Sequence, residues 1–149
     1  MILVRLTYFS RNRIDPRRGS MHDRVLEILS ASVANNRRDG ITGALIYDSK
    51  WFAQVLEGTE GAVSRTFERI LRDERHSDVS LVAMQPMTER LFGMCPMMSI
   101  AREADNSHLF RHYGESERFD PPLMRPDRLF DLVEALVSRS LEGHATSAA

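Results

Sequence analysis

Gln54 stands in the middle of the apolar run WFAQVLE at 51–57, on the face it would share with Phe52 and Leu56 in an extended strand. A buried carboxamide must satisfy two donors and an acceptor, so it either bonds a side chain of a neighbouring strand or serves as a ligand-binding amide. Tyr8 closes the apolar face Ile2, Val4, Leu6 of the segment ILVRLTYF at 2–9. It is either a core aromatic with its hydroxyl at the rim or, if the two strands adjoin, one half of a phenol–amide pair in a dry place. Asn35 and Asn36 follow an apolar helical pattern. One asparagine there is explained as a left-handed helix cap. A second is not, and a carboxamide's adjacent donor and acceptor suit the imide edge of a flavin or pyrimidine.

Other groups carry weaker signals. Arg69, Arg72, Arg75 and His76 form a basic cluster at the expected end of a helix. They suit a solvated C-terminus favoured by the macrodipole, or a clamp on a phosphate or ring carbonyl. His108 and His112 have the i, i+4 spacing of a metal pair, but no further ligand is near in sequence, and a surface pair is expected. Cys95 has no base partner and is read as inert. The methionines at 84, 87, 94, 97 and 98 are read mostly as core filler.

The elements that must position these residues follow from periodicity. Residues 2–9 read as a strand, 10–20 as an arginine-rich loop, and 21–34 as a helix with Val25, Ile28, Leu29 and Val33 on one face, ending by Asn35 and Asn36. Residues 41–47 and 51–57 read as a hairpin about the turn 48–50. Residues 60–74 repeat the helical pattern, 79–85 form a strand, and 93–101 a strand that Pro96 restricts to an edge or bulge. A short helix at 103–113 and an amphipathic helix at 126–141 follow, and the final residues read as a disordered tail. The order β-α-β-β-α-β-β argues for an α+β, ferredoxin-like sheet with two helices on one face. The terminal helix is left to cover the other face or bind a partner. The expected division is a sensor-sized domain at 1–101, a helical extension at 102–142 and a tail at 143–149.

Composition excludes several classes. The chain has 149 residues, 42% hydrophobic, with a formal net charge of −1, so nothing global favours nucleic acid or an anionic membrane. A single cysteine suits a reducing compartment, and the start of the chain, Ile2-Leu3-Val4 before Arg5, is too short for a signal peptide or span. A cytoplasmic protein is expected.

Several ordered segments together resemble one family, the BLUF domains, flavin-based blue-light sensors. They are LVRLTYFSR at 3–11, NNRRDGITGALIY at 35–47, FAQVLEG at 52–58 and RILRDERHSDV at 69–79, with a looser match in RLFGMCPM at 90–97. The resemblance implies the same sheet, with FAD held non-covalently between the first two helices. By position it makes Tyr8 the donor of an electron and then a proton to the excited flavin, and Gln54 the amide between that phenol and the ring, with Met97 beside it. It implies Asn36 on the O4/N3 edge, Asn35 on the O2 side, and Ile28 and Ser32 lining the ring. Asp73, Arg75 and His76 fall at the ring's other side, and Arg69 near the ribityl-phosphate chain. In this family light rearranges the glutamine's hydrogen bonds without a covalent adduct. This sequence departs from many members at Cys95, where a tryptophan is common; its only tryptophan is Trp51.

Two other readings compete. An acylphosphatase-like hydrolase on the same topology needs an arginine in a glycine-rich phosphate cradle after the first strand, and the loop at 10–20 offers only Gly19. An RNA-binding sheet needs exposed aromatics on its central strands within a basic surround. For a sensor, 149 residues leave no room for a cyclase or phosphodiesterase. Output is therefore expected through a homo-oligomer or a separate downstream protein, with the exposed part of helix 126–141 as the candidate surface. FAD is the expected flavin, with FMN and riboflavin as alternatives.

Overall fold

The computed structural model describes residues 2–93 and 95–148, and the side-chain surroundings of those up to 143. Five strands form one mixed sheet: β1 (Leu3–Asn12), β2 (Thr42–Tyr47), β3 (Trp51–Thr59), β4 (His76–Met87) and β5 (Met98–Ala101), in the order β4-β1-β3-β2-β5. The pairs β1–β3, β1–β4 and β2–β3 are antiparallel, and β5 lies parallel to β2. Helices α1 (Met21–Asp39) and α2 (Glu60–Leu71) cover one face. Helices α3 (Ser107–Tyr113) and α4 (Pro126–Ala148) belong to the other. The expected α+β arrangement is therefore the observed one.

Alternation along the central strands creates two cores. Val4, Leu6 and Tyr8 of β1, Leu45 of β2, and Phe52 and Leu56 of β3 join Val25 and Leu29 of α1 and Val63 of α2. Ala44, Ile46, Ala53 and Val55 point the other way, onto Phe110 of α3 and Leu129, Leu132, Val133 and Leu136 of α4. The terminal helix thus covers the second face with an apolar stripe at helical spacing. It runs on to Ala148, beyond the end expected at 141 and through most of the tail expected to be disordered. No proline interrupts it, and Ala145 and Ala148 are strong helix formers.

Three boundaries correct the reading from sequence. First, α1 does not end at Asn35-Asn36. Ser20 caps its start by accepting from the Asp23 amide, and the helix continues to Gly40, which takes the left-handed conformation at φ 69°. With glycine doing the capping, both asparagines stay helical and their amides are free for tertiary use.

Second, α2 stops at Leu71, and His76 opens β4 opposite Asn12 instead of ending the helix. Third, β5 is confined to Met98–Ala101. Pro96 offers no N–H for a ladder, and Gly93 turns the chain at φ 58°, so the preceding stretch is held outside the ladder, by side chains and by the backbone bond from the Gly43 amide to the Cys95 carbonyl. Of the methionines read as filler, Met97 lies in the first core and Met98 packs on the second, whereas Met84 is exposed; Met94 lies outside the described residues.

Candidate functional site

A cavity of about 210 Å³ opens between α1, α2 and the sheet. Its apolar lining comes from Ile28, Leu29, Leu45, Phe52, Leu56 and Ile70. Its polar lining comes from Tyr8, Ser32, Asn35, Asn36, Gln54, Thr66, Arg69, Asp73, Arg75 and His76. The mixture suits a flat, largely apolar ring with a donor–acceptor edge. Ile28, Ser32, Asn35 and Asn36 reach it because their spacing puts them on one side of α1, and the extra helical turn past Asn36 keeps them in phase.

Tyr8 and Gln54 face each other across the β1–β3 ladder. The Tyr8 hydroxyl donates to Gln54 Oε1, and both residues are buried. Gln54 Nε2 donates to Met97 Sδ at 3.3 Å. The amide is thereby oriented at both ends, with a phenol on its acceptor and a weak sulfur acceptor on its donor. Met97 stands behind the cavity lining, in the core cluster beneath it, and is joined to the site by this hydrogen bond. The Phe67 ring lies tilted at 5.5 Å and the His76 ring edge-on at 6.3 Å from the Tyr8 ring centre, enclosing the phenol.

Burial pushes the Tyr8 phenol far above the ordinary tyrosine value, and the Asp73 carboxylate adds to the shift. The sign gives a test. In the unfolded chain Tyr8 releases its proton near pH 10.0, while the folded protein keeps it. The contribution to stability is complete below that pH and is lost as pH rises, by about 1.4 kcal/mol per unit. Denaturant unfolding measured between neutral pH and pH 11 is expected to show this fall, and Tyr8→Phe is expected to flatten it. A fall of the same steepness in Tyr8→Phe would assign it to other groups.

His76 is fixed from both sides. Its Nε2 lies 2.6 Å from the Ile70 carbonyl and its Nδ1 lies 2.7 Å from Ser10 Oγ. A carbonyl only accepts, so Nε2 carries hydrogen, and in the neutral ring Nδ1 accepts from Ser10. At the rim, Arg75 grips Asp73 through Nε–Oδ1 at 2.9 Å and Nη2–Oδ2 at 2.5 Å. That hydrogen bonding holds the Asp73 carboxyl below its usual range. Arg69 Nη2 bridges Asp39 Oδ2 at 3.1 Å and Thr66 Oγ1 at 3.2 Å. Asn36 Nδ2 donates to the Pro96 carbonyl at 2.8 Å, tying α1 to the segment before β5.

The remaining sequence candidates lie elsewhere. Arg72 is exposed outside the cavity lining. Among the described residues no cluster suits a metal, and the His112 ring instead packs edge-on to Tyr113. Trp51 lies on the opposite face, against Phe9 and Arg11. The central strands do not present on that face the exposed aromatics an RNA-binding sheet needs, because α3 and α4 pack against it. Among the described residues no helix is long and apolar enough to cross a membrane.

Sequence reasoning missed Thr66 and Phe67 beside the cavity, Ser10 behind His76 and, above all, Glu57. Glu57 is a fully buried carboxylate on β3. The sequence offers one partial signal for it: Glu57 is the one charged residue of β3.

Residues 3–98 match the family described as BLUF: Sensors of blue-light using FAD. The chain is 37% identical over 106 residues to photoactivated adenylate cyclase subunit alpha of Euglena gracilis, covering 68% of this chain and 10% of that protein. The chain therefore spans about a tenth of the length of that relative. Among solved structures it is similar to BlrB, a BLUF protein in its dark state, with a TM-score of 0.77 and 32% identity over 93% of this chain and 97% of that one. It is also similar to BlsA in its photo-activated state, with a TM-score of 0.79 and 28% identity over 91% of this chain and 94% of that one.

Proposed function

The chain belongs to the BLUF family of flavin-binding blue-light sensors, and from that premise we propose that it binds FAD non-covalently and senses through Tyr8 and Gln54. The observation that carries this reading is the buried Tyr8–Gln54 hydrogen bond on the wall of a cavity also lined by Asn35 and Asn36.

The residues fit a flavin. Asn35 and Asn36 offer carboxamides to the ring's imide edge, Ile28, Ser32 and the apolar lining hold its faces, and Asp73, Arg75 and His76 bound its other side. Arg69 stands at the rim, where the chain bearing the phosphates would leave. A flavin bound there supplies blue-light absorption and, once excited, an acceptor for the electron and proton of Tyr8. The buried phenol holds its proton at Oη against Gln54 Oε1, ready to release it along that bond. Release frees the amide to reverse its donor and acceptor ends, so that Nε2 turns toward the Tyr8 oxygen and leaves the Met97 sulfur, which can only accept. The switch is one amide with two orientations, coupled to the sheet through Met97.

In this reading the chain is a cytoplasmic sensor without catalysis of its own. The cyclase named in the Euglena relative belongs to that protein. Output passes to a second copy or a separate protein, and the exposed side of α4 is the surface offered. The acylphosphatase alternative gains nothing from the site, whose arginines at 69 and 75 are already paired with carboxylates. The test is optical: purified protein is expected to be yellow, to release FAD on denaturation, and to show a small reversible red shift under blue light. Protein that takes up no flavin, or whose flavin spectrum ignores light, would refute the proposal.

A further inference from the structure

Three residues after Gln54, on the face of β3 turned away from the cavity, the Glu57 side chain is fully buried. Oε1 accepts from Thr42 Oγ1 at 3.0 Å and from the Phe92 amide at 3.2 Å. Oε2 accepts from the Leu91 amide at 2.9 Å and from Arg5 Nη2 at 3.2 Å. Arg90 closes the cluster, donating to Thr42 Oγ1 at 2.9 Å and to the Glu57 carbonyl at 3.1 Å. A buried ion pair contributes little to stability compared with apolar packing of the same volume. What this one does, which an apolar residue would not, is hold two consecutive backbone amides of a segment that has no strand to pair with.

That segment leads to the photochemical amide. From Leu91 the chain turns at Gly93, and the Cys95 carbonyl accepts from the Gly43 amide at 3.3 Å. The Pro96 carbonyl accepts from Asn36 at 2.8 Å, and Met97 Sδ accepts from Gln54 at 3.3 Å. Ladder pairing with β2 begins only at Met98. The strap, described at residues 91–93 and 95–97, is thus tethered at its start by Glu57 and at its end by residues of the cavity. On the far side, the Arg5 guanidinium lies 4.8 Å over the Phe130 ring of α4.

We propose that Glu57 is a positioning residue for the light response: by gripping the Leu91 and Phe92 amides it sets the reach of the strap and keeps Met97 Sδ on the donor end of Gln54. The proposal rests on the sensing reading above, since Met97 favours one orientation of the amide. Loosening the strap weakens that orientation and slows the return to it in the dark.

Glu57→Gln keeps the volume but turns an NH2 group toward two of the four donors. In flavin-loaded Glu57→Gln the expected results are a retained dark spectrum, recovery about tenfold slower than wild type, and faster hydrogen exchange at Leu91 and Phe92. In a Met97→Leu background the same change is expected to leave recovery unaltered, because the sulfur through which it acts is gone. If Arg5, stripped of its partner, prevents folding, the double variant Arg5→Met/Glu57→Gln removes the orphaned charge and is expected to show the same slowing. Recovery at the wild-type rate in the folded, flavin-loaded variant would overturn the proposal alone, as would slowing that persists in the Met97→Leu background. Wild-type protein with no light response would overturn the sensing reading and this proposal with it.

Discussion

Tyr8→Phe is expected to abolish the light-induced red shift while leaving flavin bound, and Gln54→Leu is expected to do the same. The two losses have different physical origins. Phenylalanine keeps the ring against Phe67 and His76, so the cavity wall survives. It removes the only hydroxyl that donates to Gln54 Oε1 among the described residues. Without it there is no phenol to surrender an electron and proton. Leucine at 54 leaves that donor in place but removes the group whose two ends differ, so no exchange of hydrogen bonds can follow.

The costs in stability are modest beside these functional losses. Tyr8→Phe leaves a buried carbonyl oxygen without its donor, worth about 1–3 kcal/mol. That is a fraction of the roughly 5–15 kcal/mol of a typical domain. Absorption spectra before and after blue illumination, with flavin content measured on the same samples, check both variants. A shift of wild-type size in either one would remove that residue from the mechanism.

Gly43→Ala is expected to destabilise the fold by more than about 4 kcal/mol, or to prevent folded protein from accumulating. A Cβ at this position would stand 2.0 Å from the Val55 carbonyl oxygen and 3.1 Å from its carbon. Both are backbone atoms of the strand paired with β2, so no side chain can swing away. Relief requires β2 and β3 to separate in the middle of the sheet, where Leu45 and Gln54 are partners. The same shift would strain the Gly43–Cys95 hydrogen bond that steadies the strap. Gly61→Ala is the contrast, because its nearest neighbour is the mobile end of Arg65 at 3.2 Å. Denaturant unfolding of the two variants side by side checks this, and a Gly43→Ala protein within about 1 kcal/mol of wild type would show that the sheet can open.

The sequence by itself determined which face each side chain takes. Alternation in β1 and β3 puts Tyr8 and Gln54 among apolar neighbours, and the period of α1 puts Ile28, Ser32, Asn35 and Asn36 along one side. These are local properties, written in spacings of two and of three to four residues, so they survive without knowledge of the rest of the chain. The covering of the sheet's second face by α4 was half legible for the same reason: the apolar stripe at 129–137 announced a buried face but not what it would bury against.

Only the tertiary structure decided who meets whom. Gln54 receives Met97 from 43 positions away, and Asn36 receives the Pro96 carbonyl from 60 away. Both depend on a strap with no periodic pattern to read. The ends of α1 and α2 moved because capping at Gly40 and strand pairing at His76 override propensity. Glu57 looked like the polar end of a strand, and its burial became visible only once Arg5, Thr42 and two distant amides closed around it. For the opening pair this has a definite consequence. Sequence identified Tyr8 and Gln54 as polar groups in an apolar place, but register across the ladder made them partners, and the strap behind them supplied the amide's second hydrogen bond.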